Sequence, residues 1–175
     1  LFYDGAPALT VYHSNAGGMT DSSKEIWRSH HTYLVSVPSE YDSKEARFRW
    51  ELEMSRTALG LSLGRAGYSI GEVASITVES KTAAGRAKAI VIEDVSGASI
   101  RLSAEDLRKA LGYSVIKSAM FEVVASDGLF VFKGKGSGHG VGLSQWGAKG
   151  MAEAGYSYKE ILNHYYPGAE LVSAY

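Results

Sequence analysis

The 175-residue chain sets 18 Lys and Arg against 19 Asp and Glu, a net charge near −1, with 45 % hydrophobic and 21 % charged residues. So balanced a charge, without a basic run, excludes a nucleic-acid binder held by phosphate contacts, and no apolar run is long enough to span a bilayer. The absence of cysteine excludes disulfides and thiolate metal sites, and the length suits one domain, or a core with a subdomain.

Taken in order, residues 1–12 read as a short hairpin turning at Asp4-Gly5. Its second strand delivers His13 and Ser14 into Asn15-Ala16-Gly17-Gly18, residues that tolerate unusual backbone angles. A serine-rich run leads on to Trp27, flanked by Asp21 and Glu25 as expected solvated charges. His30-His31 precedes a strand expected over Tyr33–Val37, then a polar loop from Pro38 to Ser43. The paired histidines hint at a metal, but no third ligand stands at a fitting spacing.

Phe48, Trp50, Leu52 and Met54 alternate with Arg49, Glu51 and Glu53, the pattern of a half-buried strand. A helix follows from Ser55, with Leu59 and Leu63 on one face and Gly67 near its end. Residues 73–80 and 87–95 alternate as two strands around Ala84-Gly85, and Gly97 turns into a third at Ser99–Leu102. Ser103 caps a helix over Ala104–Leu111 that Gly112 closes. Phe121–Ala125 and Leu129–Lys133 form a hairpin over Ser126-Asp127-Gly128.

Seven glycines then fall between Gly134 and Gly150. The alternate ones, Gly134 to Gly142, leave one face of an extended segment bare, so a ligand or another part of the chain can approach its backbone. From Leu143 the periodicity becomes helical, starting near Ser144. His139 thus lies in a bare loop that runs into a helix N-terminus, with Ser144 and Gln145 at the first turn, where free N–H groups and the positive dipole end face any ligand. The plainer reading is a tightly packed glycine hairpin with a hydrogen-bonded, structural His139. Neither a Walker ending nor a βαβ unit with a downstream acid is present, which excludes a phosphate loop and a dinucleotide fingerprint. A last helix spans Ser157 to His164, stopped by Pro167-Gly168, within a cluster of tyrosines that includes Tyr165 and Tyr166. The fold class is α+β: antiparallel strands with a few short helices, two of them at the C-terminus.

Residues 134–171 resemble the C-terminal signature of the stage II sporulation protein D family, which includes the amidase enhancers. Residues 3–27 are similar to that family's strand, His-Ser, Gly-Gly turn and acidic serine run to Trp. The resemblance implies that residues 1–175 are the C-terminal part of such a domain. A chain starting at Leu1 implies a fragment whose catalytic segment and any anchoring or export segment lie upstream. It also implies peptidoglycan glycan strands as the partner, with other cell-wall hydrolases, in an extracytoplasmic setting of a sporulating bacterium.

The implied activity is that of a lytic transglycosylase, cleaving peptide-free strands between MurNAc and GlcNAc to 1,6-anhydro ends with one carboxylic acid, held neutral in a dry pocket, acting as acid and then base. The family's catalytic glutamate sits in a helix of a kind this chain does not contain. His139, Ser144 and Gln145 are therefore expected to orient the sugar or that glutamate. His13 and Ser14 face them across a cleft, and Trp146, Tyr165 and Tyr166 stack on pyranose rings. No cofactor is expected. Some family members bind zinc through a histidine near the Gly-Gly turn and two cysteines; this chain keeps His13 and lacks the cysteines. Two rival readings stand beside the enzyme. One is a non-catalytic amidase enhancer or glycan-binding module. The other is a metal-dependent hydrolase using three of His13, His30, His31, His139 and His164, for which no HExxH-type spacing speaks.

Overall fold

In a computed structural model of the chain, residues 1–27, 29–45 and 48–172 are described. Along the sequence come strands β1 (Phe2–Tyr3), β2 (Ala6–Pro7) and β3 (Tyr12–His13), then helix α1 (Ser23–Ile26) and a 3-10 turn over Glu40–Lys44. Strand β4 (Arg49–Ser55) runs directly into helix α2 (Arg56–Arg65), followed by β5 (Val73–Lys81), β6 (Ala87–Asp94) and β7 (Ser99–Ser103). Helix α3 (Ala104–Leu111), the hairpin β8 (Phe121–Ser126) and β9 (Leu129–Lys135), strand β10 (Leu143–Ser144), and helices α4 (Gln145–Glu153) and α5 (Tyr158–Tyr165) complete the chain. The α+β class stands.

The chain divides into two units, Leu1–Phe48 with Gly136–Tyr175, and Arg49–Lys135. The second is built from regular elements. Antiparallel sheets β4-β9-β8 and β5-β6-β7 bury alternate side chains, and Leu59 and Leu63 of α2 and Leu107 of α3 join them. Ile90, Ile92, Phe130, Phe132 and Ile116 are sealed in that core, where each large side chain contributes roughly 1.5–3 kcal/mol. Ser55 and Ser103 cap the two helices by accepting from Ala58 and Asp106 N–H.

The first unit has little regular pairing. β1 and β2 form the hairpin expected at Asp4-Gly5, but Tyr12–His13 leaves it and runs parallel to Leu143–Ser144. Residues 33–37 are extended chain outside any strand: Thr20 holds Val37 from both sides, its N–H donating to the Val37 carbonyl and its Oγ1 accepting the Val37 N–H. The second core, Tyr33, Leu34, Val141, Met151, Ile161, Tyr165 and Tyr166, gathers α4, α5 and these irregular segments. Helix α5 has a capping box between Ser157 and Glu160.

Candidate functional site

The glycine stretch departs from the extended, open segment its spacing suggests. Gly136, Gly138, Gly140 and Gly142 all have positive φ, so the backbone coils from one to the next. The chain itself fills the bare side. A Cβ on Gly136 would meet the Asn15 carbonyl at 2.7 Å, one on Gly138 the His13 Cβ at 2.7 Å, and one on Gly142 the Val11 carbonyl at 2.2 Å. Glycine is needed there because residues 11–17 press against the loop. Asn15 and Ser137 exchange both backbone hydrogen bonds, and the Asp21 N–H donates to the Gly140 carbonyl.

This packing brings His13 and His139 together, with ring centroids 5.3 Å apart, and sets the Trp27 ring 5.3 Å from His139 on another side. The hydrogen bonds fix the ring orientations. His139 donates from Nε2 to the Tyr12 carbonyl and accepts the Val141 N–H at Nδ1, so both nitrogens are engaged in the neutral ring. His13, buried, donates from Nδ1 to the Val141 carbonyl, which leaves Nε2 as its acceptor nitrogen. His139 is thus a brace between the β3 strand and the glycine loop. The expectation that it orients a substrate directly gives way to this role.

Ser144 is displaced from the expected role in the same way. It is fully buried, donates to the Asp42 carboxylate, and accepts the N–H groups of Gly147 and Ala16. The N-terminus of α4 offers fewer free donors than the sequence implied, because the Trp146 N–H goes to the Ser14 carbonyl and the Gly147 N–H to Ser144. Tyr165 and Tyr166 are 1 % and 2 % exposed, and their hydroxyls bond Ser39 Oγ and the Val11 carbonyl. Burial pushes both phenols up to about 12. Packed rings offer no face to a sugar, so the stacking role assigned to them is withdrawn. Asp21, expected as a solvated charge, is 1 % exposed.

Asp42, within the polar loop expected from Pro38 to Ser43, is the hub of this unit. Its carboxylate accepts the N–H groups of Ala16 and Gly18 and the Ser144 hydroxyl, while its carbonyl accepts from Asn15 Nδ2. Burial pushes its pKa up, against these hydrogen bonds, which pull it down. It ties the Gly-Gly turn to the start of α4.

Among its described residues the unit leaves open a hollow of about 270 Å³, lined by Glu40, Tyr156, His164 and Tyr165 among others, and a groove of about 420 Å³. Tyr12, Gln145, Leu143, Leu162 and the edge of Tyr166 line it, together with Leu1, Thr10 and Leu171. Tyr12 is 63 % exposed while its neighbour His13 is buried, the period-two alternation of a strand that would have found it from sequence. Gln145 is exposed and lines the groove, whereas Ser14 is half-buried and is not among the lining residues. Trp146 is partly exposed but carries the Lys149 ammonium 4.7 Å over its ring. Among the described residues the groove lining contains no carboxylate.

A metal reading fares poorly. His164 donates from Nε2 to the Pro38 carbonyl, His31 packs on Tyr33, and no three His, Asp or Glu side chains converge on a possible ion among the described residues. The residues present therefore do not fit the zinc site that the family resemblance would imply.

A family described as domain of unknown function (DUF8618) matches residues 12–142. The chain is 30 % identical to the amidase enhancer of Bacillus subtilis, over 99 % of its own length and 31 % of that protein's. It is 32 % identical to stage II sporulation protein D of Bacillus amyloliquefaciens and 29 % identical to that of Bacillus subtilis, in both cases over 99 % of this chain and 48 % of the relative. The chain thus spans less than half the length of these curated relatives.

Proposed function

This chain belongs to the DUF8618 domain family and is a homologue of stage II sporulation protein D and the amidase enhancers, and from that premise we propose that it works at the bacterial cell wall by holding peptidoglycan glycan strands. In this reading the groove beside His13 and His139 is the sugar trench of a lytic transglycosylase of the sporulation protein D type. The Tyr12 ring lies against a pyranose face, and the Gln145 amide bonds a hydroxyl or acetamido group. His139 and the glycine loop hold Tyr12 in place from behind.

The observation that carries the reading is the exposed Tyr12 ring and Gln145 amide sharing one apolar groove, on a backbone pinned by the His139–Tyr12 hydrogen bond. Breaking a MurNAc–GlcNAc bond needs an acid to protonate the leaving oxygen, which keeps that proton, and attack by the sugar's own 6-hydroxyl needs a base to take the hydroxyl's proton, a role the deprotonated acid fills. Asp21 and Asp42 are buried, and among the described residues no carboxylate lines the groove. We assign the proton donor to a glutamate outside these 175 residues, and to these residues the binding and orientation of the strand. Extracytoplasmic action and cooperation with other cell-wall hydrolases belong to the same proposal. The acid-free groove also supports a second reading, a glycan-binding module that assists another hydrolase without cleaving.

Peptide-free glycan strands decide between them. This chain and full-length stage II sporulation protein D are incubated with such strands, and products are read by mass spectrometry. Retention by this chain without cleavage, with 1,6-anhydro ends from the longer protein, is the expected result. Anhydro ends from this chain alone would overturn the placement of the acid, and retention with no cleavage by either protein would favour the binding module. Failure of this chain to retain strands would overturn both.

A further inference from the structure

The hollow of about 270 Å³ in the first unit shares no described lining residue with the Tyr12 groove. Glu40 and Tyr41 of the 3-10 turn line one part of it, Tyr156 and His164 another, and Met151 and Tyr165 are its buried members. Pockets that enclose a whole drug-sized molecule run to about 300–1,000 Å³, so this one suits a single long side chain or a small ion.

Its chemistry is one-sided. Glu40 is exposed, its carbonyl accepts the Ser43 hydroxyl, and its carboxylate pairs with no cation among the described residues. No Lys or Arg is among the described lining residues. Lys149 of α4 is held elsewhere, over the Trp146 ring and 3.2 Å from the Glu153 carboxylate. His164 spends Nε2 on the Pro38 carbonyl, which in the neutral ring leaves Nδ1 an acceptor.

Two tyrosines stand with Glu40. The Tyr41 and Tyr156 rings meet at 74° with centroids 6.0 Å apart, and Tyr156 is 42 % exposed. A hydrogen bond with Tyr41 is the largest cause that raises the Tyr156 hydroxyl above the ordinary tyrosine value, and the charges of Glu160 and Glu40 act in the same direction. The Ser157 hydroxyl and N–H hold the Glu160 carboxyl below its ordinary range, so it stays ionised. Aromatic rings and carboxylates both attract a positive charge, and the described lining supplies none.

We propose that this hollow seats a primary alkylammonium group, the lysine-type side chain of a peptide, with the ammonium at the Glu40 carboxylate and the methylene stem along the Tyr41 and Tyr156 rings. A near right-angled corner of two rings receives a compact ammonium with rotatable donors, whereas a planar guanidinium stacks on a flat face. Pro38 and Glu40 are exposed lining residues, so a side chain can enter while its peptide backbone stays in solvent. This seat adds a peptide contact to a unit whose other groove is assigned to sugar, and it does not rest on that assignment.

The whole chain, isotopically labelled, is titrated and followed by NMR with four probes. These are an end-blocked Ala-Ala-Lys-Ala-Ala peptide, the same peptide acetylated on the lysine Nζ, its arginine counterpart, and free 1,5-diaminopentane. The lysine peptide is expected to bind about fivefold more tightly than the acetylated one, the value of one unit charge at contact in water, with an advantage that shrinks as salt rises. Glu40→Gln is expected to erase that advantage. The change removes no hydrogen bond or ion pair among the described residues, so the fold is kept. Glu72→Gln, the same change on an exposed residue of the second unit that does not line the hollow, is expected to change nothing. Tyr156→Leu is expected to weaken lysine-peptide binding about threefold, and Tyr156→Phe, which keeps the ring, to retain it. Equal binding of the lysine and acetylated peptides, or equal behaviour of Glu40→Gln and Glu72→Gln, overturns the inference and leaves the Tyr12 groove untouched. Arginine-peptide binding as tight as that of lysine overturns the preference for ammonium. Diaminopentane binding as tight as that of the lysine peptide overturns the peptide source and keeps the ammonium seat.

Discussion

In the second unit, backbone pairs with backbone along two antiparallel sheets, and side chains fill the core. In the first, short strands of two residues alternate with loops whose N–H and carbonyl groups are satisfied by side chains: Asp42, Ser144, Thr20, Asn15 and two histidines. The contrast explains where a ligand site can form. Regular elements bury their polar groups among themselves and keep their shape through many substitutions, whereas an irregular backbone needs particular side chains at particular points. The first unit should therefore be intolerant at its glycines and at Asp42, and the second tolerant except where two backbones touch.

The largest effect is expected at Gly142→Ala. Its φ of +71° and the Val11 carbonyl 2.2 Å from an added Cβ together should remove about 4 kcal/mol of stability, strain plus overpacking; urea unfolding measures it, and a loss below 1 kcal/mol would show that the loop has slack. Asp42→Ala comes next, at about 3 kcal/mol, because it takes the carboxylate from the buried Ala16 N–H, the half-buried Gly18 N–H and the buried Ser144 hydroxyl. Amide exchange at Ala16 and Gly18 should accelerate in that variant, and unchanged protection there would remove Asp42 as the hub.

Gly60→Ala sharpens the contrast from the other side. In an exposed helix the exchange ordinarily gains up to about 1 kcal/mol. Here an added Cβ would lie 2.0 Å from the Gly71 carbonyl oxygen, so a loss of roughly 1–3 kcal/mol is expected instead, and a raised melting temperature would contradict the close approach.

The smallest effect is electrostatic. Hydrogen bonds from Ser96, then from the Gly71 and Ala98 N–H groups, hold the Asp94 carboxyl down at about 2 against an ordinary 3.8. A depressed carboxyl favours the folded state above its unfolded pKa, so this contribution is full above about pH 4 and fades as pH falls toward 2. Asp94→Asn should flatten that part of the acid-unfolding curve. An unchanged slope would place the acid sensitivity elsewhere.

The same division governs how much the sequence disclosed. Trp50, Leu52 and Met54 alternate because every second residue of β4 enters the core, so the second unit could be read almost element by element, down to Ser103 as cap and Gly112 as stop. In the first unit periodicity marks helices α4 and α5 but not the irregular segments packed around them. The strand expected at 33–37 failed because Leu34 and Val37 are held by separate bonds to Ser23 and Thr20 and not by a ladder, and Asp42 passed as a loop charge because its Ala16, Gly18 and Ser144 donors lie 24 or more residues away in sequence. The meeting of His13 and His139 was legible in outline, since both stand beside glycines that only a close approach explains. Their roles were not, because two ring nitrogens spent on backbone groups leave no mark in the sequence. Tyr165 and Tyr166 looked like a stacking platform by density alone, where burial decides.

In the proposed function the His13 turn and the His139 loop present Tyr12 and Gln145 to a sugar chain. Titrating the isotopically labelled chain with short peptide-free glycan strands and following its NMR spectrum tests this most directly. The account predicts that the shifts concentrate on Tyr12, Leu143, Gln145 and the His139 ring, and that Tyr12→Ala weakens binding about tenfold, the loss of one stacked aromatic ring. Saturable binding that leaves those residues unshifted and is indifferent to Tyr12→Ala would contradict it.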